Sequence, residues 1–304
     1  MSFENIFGND EIKNLLETSI KSGNLVHSYM FVGNSGIGKK LFATEFAKII
    51  LCENNDEACD TCSSCVKFNS GNHPDFTIID SEDGKNIKIE QVRNLQEQIA
   101  EKPIISNKKV YIINNSDLMT TEAQNCLLKT LEEPPEYAVL ILVLSNESKL
   151  LNTIKSRCTK ISFKNLSKEE LSNYAKLNNM QISENMLDIC DGSISKLLSL
   201  GKNTELYNNI DKTMDDLASK DIVDVWNGAE FLYKAKEDVL EALDYFNIVL
   251  LKKLKHTNEP KYINAVNAVE LTKKRLNSNA NYDMCIDNLL LKIWEAFHES
   301  NSRS

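Results

Sequence analysis

The sequence predicts the α/β class: a parallel-sheet domain organised around a phosphate-binding loop, carrying a four-cysteine module, and followed by helices alone. Three observations predict it. Tyr29-Met30-Phe31-Val32 reads as a short buried strand, and Gly33 to Lys39 follows as G-x-x-x-x-G-K ahead of a helix. Up to residue 165, apolar strand segments alternate with helical ones, the pattern of a parallel sheet covered on both faces. Beyond that point the apolar residues recur at helical spacing.

Composition sets the outer limits. A chain of 304 residues holds two or three domains, on a prior of ~100–200 residues each. A net charge of −9 argues against a protein that coats nucleic acid by bulk electrostatics, though a local basic patch is compatible with it. The longest apolar run, Tyr137 to Leu144, falls far short of a membrane span, which needs ~20 residues. Met1 to Asn5 has neither the basic nor the apolar part of a signal peptide. Eight cysteines without such a signal read as reduced thiols or metal ligands of a cytoplasmic protein.

Taken in order, Glu11 to Ile20 is a helix with Ile12, Leu15, Leu16 and Ile20 on one face, ended by Gly23-Asn24. His27-Ser28 leads into the strand, and His27 reads as its polar neighbour rather than a catalyst. In the loop, Gly33, Gly36 and Gly38 let backbone N–H groups curl round an anion, and Lys39 reaches its outer phosphates. The next residue should be Ser or Thr, whose hydroxyl holds Mg²⁺. Here it is Lys40, which cannot ligate a cation. The following helix is apolar over much of its surface (Leu41, Phe42, Ala43, Phe46, Ala47, Ile49, Ile50), as a helix pressed on a sheet should be.

Cys52, Cys59, Cys62 and Cys65 come next, spaced C-x6-C-x2-C-x2-C. Four thiolates at this spacing suit a closed tetrahedral Zn²⁺ site with no position open for catalysis. The polar residues between them, including Glu53 to Glu57, cannot form a core. A structural zinc would supply the folding energy, on the order of 10–16 kcal/mol. His73 is a weaker candidate ligand, because Asn72-His73-Pro74-Asp75 reads better as a turn.

Phe76 to Ile79 is a strand, Asp83-Gly84 a turn, Ile89 to Ile99 a helix and Val110 to Ile113 a second strand. Thr120 is a plausible N-cap for the helix carrying Cys126, Leu127, Leu128 and Leu131, which Pro134-Pro135 stops. Val139 to Leu144 reads as a strand buried on both faces, and Ile161 to Phe163 as a last short one. Cys126 and Cys158 read as packing thiols, as do Cys190 and Cys285 further on. A second strand in such nucleotide hydrolases ends in the aspartate that holds Mg²⁺. After Val110 to Ile113 stand Asn114 and Asn115, neutral amides that can neither neutralise a divalent ion nor act as a general base. Asp117 lies three residues late, and Asp80 is the rival carboxylate. With Lys40, these departures make hydrolysis by this chain improbable.

The remainder opens with a capping box, Ser167-Lys168-Glu169-Glu170. Ser183 opens a second helix and Asp191-Gly192 turns into a third through Leu197, Leu198 and Leu200. Two longer stripes follow: Val239, Leu243, Phe246, Leu250 and Leu254, then Ile286, Leu289, Leu290, Ile293 and Phe297. Glu299 to Ser304 reads as a frayed tail.

These pieces together resemble the AAA+ subunits of bacterial clamp loaders, and most of all the delta-prime type of DNA polymerase III. The matching marks are His27 to Phe31, Gly33 to Lys39, the four cysteines, Asn72 to Asp75, Leu127 to Pro135 and Ser156-Arg157-Cys158. They run through nearly the whole first domain; the helical third is matched only in architecture. The resemblance implies an AAA+ domain over 1–165 with its zinc module at 52–65, a three-helix lid over 166–203 and a helical collar for oligomerisation over 204–304. It implies that Arg157 reaches a neighbouring subunit's ATP, where an arginine in trans is worth ~10³–10⁵ in rate. The hydrolysing gamma/tau type keeps Ser/Thr after the loop lysine, Asp-Glu after the second strand, and a lid arginine where Ser195 stands here. The implied partners are gamma/tau and delta subunits, the sliding clamp, and primed DNA through the assembly. The chain would hydrolyse nothing itself, and ATP or ADP binding by Gly33 to Lys39 stays open.

Two other readings are compatible with parts of the sequence. One is an active gamma/tau-like ATPase using Lys39 with Asp80 or Asp117. The other is a zinc-dependent nucleic-acid binder using Cys52 to Cys65, which the acidic residues in that cluster oppose.

Overall fold

Alternation along three central strands decides how the first part of the chain is layered. In the computed structural model, which describes residues 3, 6–54, 57–81, 84–217 and 219–298, these are β1 (Ser28–Val32), β3 (Lys109–Ile113) and β4 (Ala138–Leu144). Strands β2 (Phe76–Ile79) and β5 (Thr159–Ser162) flank them. Among the described residues they form one five-stranded sheet in the order β2-β3-β4-β1-β5, parallel at every pairing. The register sets Tyr29 beside Ile141 and Phe31 beside Ile161.

Successive side chains on a strand point to opposite faces. Tyr29, Phe31, Val110, Ile112, Val139, Ile141 and Val143 therefore share one face, packed with residues of α1 (Asp10–Lys21), α2 (Lys39–Leu51) and α3 (Ser63–Asn69). Met30, Tyr111, Ile113, Leu140, Leu142 and Leu144 share the other. That face is covered by α4 (Ile89–Ala100), α5 (Thr121–Glu132) and the short α6 (Asn152–Lys155). All seven residues of β4 are buried, as its uninterrupted apolar run predicts. The expected alternating, doubly covered parallel sheet is present.

Local signals explain most boundaries. Thr120 caps α5, its side chain accepting from Ala123 N–H. The Ser167–Glu170 capping box forms in both directions, Ser167 N–H donating to Glu170 Oε2 at 2.7 Å and Glu170 N–H to Ser167 Oγ at 3.2 Å. Two helices are absent from the sequence reading. α6 has four residues and α3 seven, too short to show a period. The last strand begins at Thr159 rather than Ile161, because its exposed Thr159 and Lys160 still pair with Tyr29 and Met30. Asp83, within the expected turn, and Glu299 to Ser304, the expected tail, lie outside the described residues.

The chain divides into two compact units. The first takes in 1–170 with 192–195, and the second 171–191 with 196–304. The second unit holds most of α7 (Lys168–Leu177), then α8 (Glu184–Cys190), α9 (Ile194–Lys202), α10 (Thr204–Asp216), α11 (Ile222–Gly228) and α12 (Glu230–Lys234). Its longest helices are α13 (Val239–Thr257), α14 (Pro260–Asn277) and α15 (Tyr282–His298). Ser183 caps α8 as expected, accepting from Met186 N–H. The stripe on α15 is buried throughout, and that on α13 is buried except at Leu254. Tyr245 Oη donates to Asp211 Oδ2 at 2.7 Å inside this unit, which gives the buried phenol a partner.

Candidate functional site

The strand–loop–helix that opens the site has the expected form. Gly36 and Gly38 sit at φ +79° and +94°, in the left-handed region that residues with a Cβ avoid. Gly38 is the N-cap of α2, so the first free N–H groups of that helix face the loop. The tip of the loop is held from outside: Ser195 N–H donates to Gly36 O at 3.1 Å. A Cβ on Gly36 would lie 2.2 Å from Ser193 Oγ, so this contact also requires glycine. Lys39 is buried. Its Nζ donates to Gly33 O at 2.7 Å, Asn34 O at 2.6 Å and Ser145 Oγ at 3.3 Å. Burial pushes its pKa down to about 8, with the charge of Asp117 working the other way. The ammonium thus rests on the loop's own carbonyl groups.

At the ends of β2 and β3, nitrogen donors gather on one carboxylate. Asp80, just past β2, accepts from Lys40 Nζ at 2.8 Å, Asn114 Nδ2 at 2.9 Å and Asn115 Nδ2 at 2.9 Å. Ser81 N–H adds a fourth bond at 2.8 Å. Burial works to raise the Asp80 pKa, yet the Lys40 ammonium and these donors hold it below the usual carboxylate range. The structure therefore brings together Lys40, Asn114, Asn115 and Asp80, which the sequence offered as separate departures and a rival carboxylate. Asp117 instead lies in a 3₁₀ turn, Ser116–Leu118, outside this set of bonds.

The four cysteines converge. Their sulfurs lie within 4.8 Å of one another, with Cys52 and Cys59 3.6 Å apart and Cys52 and Cys62 4.0 Å apart. A tetrahedron with metal–sulfur bonds of about 2.3 Å has edges of ~3.8 Å. The donor set thus fits an ion such as zinc. Cys62 N–H donates to Cys59 Sγ and Cys65 N–H to Cys62 Sγ, both at 3.3 Å, which suits sulfurs carrying negative charge. The second of these bonds also caps α3, the helix the sequence concealed. Backbone and side-chain bonds from Thr61 lower the Cys59 pKa to about 6, while burial raises that of Cys65 to about 12.

His73 stands apart from the sulfurs, in a buried polar knot beside the module. Its Nδ1 accepts from Asp75 N–H at 3.1 Å, which assigns the proton to Nε2, 2.9 Å from Ser64 Oγ. Ser64 and Ser106 both donate to Leu51 O, at 2.6 and 2.8 Å. The Asp75 carboxylate accepts from Ile104, Ile105 and Ser106 N–H at 2.7, 2.8 and 2.9 Å. The knot pins the end of α2 and the start of α3 to the edge of the sheet. Asn72 to Asp75 signalled a turn, but neither serine had any sequence signal.

Arg157 lies just beyond α6, about a third exposed. Its Nη2 pairs with Glu132 Oε1 at 2.7 Å, and its Nη1 donates to Thr153 O at 2.9 Å. Glu132 is the last residue of α5 and sits within the Leu127 to Pro135 stretch, although the sequence gave it no role. Cys126 and Cys158 lie apart from the sulfur cluster, Cys126 Sγ donating to Gln96 Oε1 at 3.1 Å and burial raising Cys158 to about 12. His27 contributes its carbonyl to Leu140 N–H at 2.8 Å.

Comparison with known proteins decides the family. The family model described as DNA polymerase III, delta subunit, matches residues 8–167. The chain belongs to that clamp-loader family. It is 29% identical over 318 residues to the DNA polymerase III subunit delta' of Bacillus subtilis (strain 168), covering 93% of this chain and 95% of that protein. It is also 30% identical over 265 residues to the DNA polymerase III subunit tau of the same organism, covering 82% of this chain and 46% of that one. Among solved structures, a DNA polymerase III gamma subunit-related protein of Thermotoga maritima is similar at a TM-score of 0.49 and 17% identity. It covers 93% of this chain and 99% of its own. Among the described residues, no helix is long and apolar enough to cross a membrane.

Proposed function

We propose that this chain is a non-hydrolysing, delta-prime-like subunit of the DNA polymerase III clamp loader. It assembles with gamma/tau and delta subunits, helps load the sliding clamp on primed DNA in the cytoplasm, and offers Arg157 in trans to a neighbour's ATP. In this reading residues 1–165 form the AAA+ domain, 166–203 the lid and 204–304 the collar that joins it to other subunits.

One observation carries the reading: Asp80, the carboxylate that meets Lys40, is already saturated. Asp80 accepts from Lys40, Asn114, Asn115 and Ser81 N–H. An aspartate that holds Mg²⁺ must present free oxygens to the ion, and a general base needs a carboxylate within reach of water. Neither remains. Gly33, Gly36, Gly38 and Lys39 retain the form of a nucleotide loop, with Lys39 turned onto its carbonyl groups, so any ATP or ADP must displace those bonds first.

At Cys52, Cys59, Cys62 and Cys65 a zinc ion would supply cross-linking and folding energy. Closed by four thiolates, it would leave no position for substrate. The chain's own part there is to orient the sulfurs with backbone N–H groups and to favour the Cys59 thiolate, while burial pushes the Cys52 and Cys65 thiols up.

An active gamma/tau-like ATPase is the second reading, supported by the similarity to tau and by the intact glycines and Lys39. ATP turnover by the purified chain with Mg²⁺ distinguishes the two. No turnover above background is expected, and a clear Mg²⁺-dependent rate would establish the second.

A further inference from the structure

Arg157 is occupied within its own subunit. Its Nη2 meets Glu132 Oε1 at 2.7 Å, and its Nη1 donates to Thr153 O at 2.9 Å and Ser156 Oγ at 3.4 Å. A two-point grip on phosphate uses two parallel N–H groups of the guanidinium fork. Here Nη1 already donates to Thr153 O, and Nη2 is ion-paired with the Glu132 carboxylate of the same chain. A full negative charge also stands against the guanidinium, and α5, which ends at Glu132, adds the partial negative charge of a helix C-terminus.

We propose that Glu132 is a latch on Arg157, holding the guanidinium against its own subunit until the phosphates of a neighbour's ATP draw it away. The inference rests on the reading of Arg157 as a group offered in trans. Partial exposure suits a latch that must open. The two side chains are 35% and 50% exposed, and pairs of this kind are weak and screened by salt. Such a contact keeps a long side chain near one place while no phosphate is present, and yields readily to a polyanion. While it holds, only the released fraction of Arg157 serves the neighbour's site. The ring's apparent affinity for ATP falls by that fraction.

The experiment uses the full-length chain assembled with its ATPase partners, and ATP as the probe. Glu132→Gln keeps the size and the carbonyl acceptor and removes the charge. The ring's kcat/KM for ATP is expected to rise about two- to fivefold, mainly through a lower KM. The ratio of variant to wild type should fall toward one as salt is raised, because screening loosens the wild-type pair. A merely structural Glu132 would give a lower kcat/KM or a ratio insensitive to salt; either result, or no change, overturns the latch. Arg157→Ala in the same rings separates the two claims. A loss there without a gain in Glu132→Gln removes the latch and keeps the role in trans. No loss there removes the role itself. In the double variant the gain from Glu132→Gln should vanish, and its persistence would also overturn the latch.

Discussion

At the loop, Lys40 and Asp80 form a pair that contributes little to stability. Their pair is half exposed, so Lys40→Ala should cost only about 0.5 kcal/mol, read as a small shift in the urea midpoint. It should confer no ATP turnover, because Asn114 and Asn115 still supply no carboxylate. Gly36 and Gly38 separate two costs of a side chain. Both have positive φ, but a Cβ on Gly36 meets Ser193 Oγ at 2.2 Å, whereas none lies within 4 Å at Gly38. Gly36→Ala should therefore lose more stability than Gly38→Ala, which bears only the left-handed strain of about 1–2 kcal/mol. Equal losses would show that the Ser193–Ser195 contact yields freely. The buried knot at Asp75 is more costly to break. Burial alone would raise this carboxyl, but the N–H bonds of Ser106, Ile104 and Ile105 outweigh it and hold the pKa below the ordinary 3.8. Asp75→Ala leaves three donors without an acceptor and should cost about 3–5 kcal/mol by denaturant unfolding. The same knot sets a pH dependence. Burial lowers the His73 pKa below its ordinary 6.5, so the unfolded chain takes up this proton first. Its stabilising contribution is complete above pH 6.5 and fades as pH falls from there through the folded value. Asp75 contributes in the same sense above 3.8 and loses it below. The urea midpoint of wild type minus that of His73→Gln should therefore shrink below pH 6.5, a comparison that subtracts the cysteines' own response.

Among the elements, β4 and α3 stand at opposite ends of legibility. β4 announced itself because a strand covered on both faces needs no alternation, and an uninterrupted run such as Val139 to Leu144 fits little else. Ile141, fully buried at its centre, should cost about 2–5 kcal/mol as Ala. α3 was hidden in a polar stretch, for its start is set by a sulfur acceptor on Cys62 and its position by a contact network distant in sequence. The four cysteines were readable as a set because thiolate chemistry and spacing restrict the partners. Their role in ordering α3 was not. Chelation, or Cys59→Ser, should raise hydrogen exchange over residues 57–69 and leave β1, β3 and β4 protected. Metal analysis should find one equivalent of zinc, and a preparation free of metal with unchanged exchange would remove this role.

Across the whole molecule, the outcome to measure is division of labour between subunits. The chain alone should not turn over ATP. On the proposed role, Arg157→Ala added to gamma/tau-type subunits should still assemble, with ring ATP turnover lowered by an order of magnitude or more. Unchanged ring activity would remove the assignment. The division of the chain into two units also shows where sequence reading stops. Helical periodicity found most of the helices after residue 166, yet periodicity does not report which helices pack together. Residues 192–195 stay with the first unit, while the stretches on either side, 171–191 and 196–304, make up the second.

By itself the sequence determined the parallel sheet, the glycine-rich loop between strand and helix, the set of four close cysteines, and a lysine and two amides at positions 40, 114 and 115. Each is a matter of residue type at short range, where strand alternation, glycine backbone freedom and thiolate spacing leave few alternatives. Only the tertiary structure decided that Lys40, Asn114 and Asn115 all converge on Asp80, that Ser195 ties down Gly36, and that Glu132 holds Arg157. Those partners lie from 25 to 159 residues apart along the chain, and groups so distant meet only once the chain has folded and brought strand ends, loops and helix ends together.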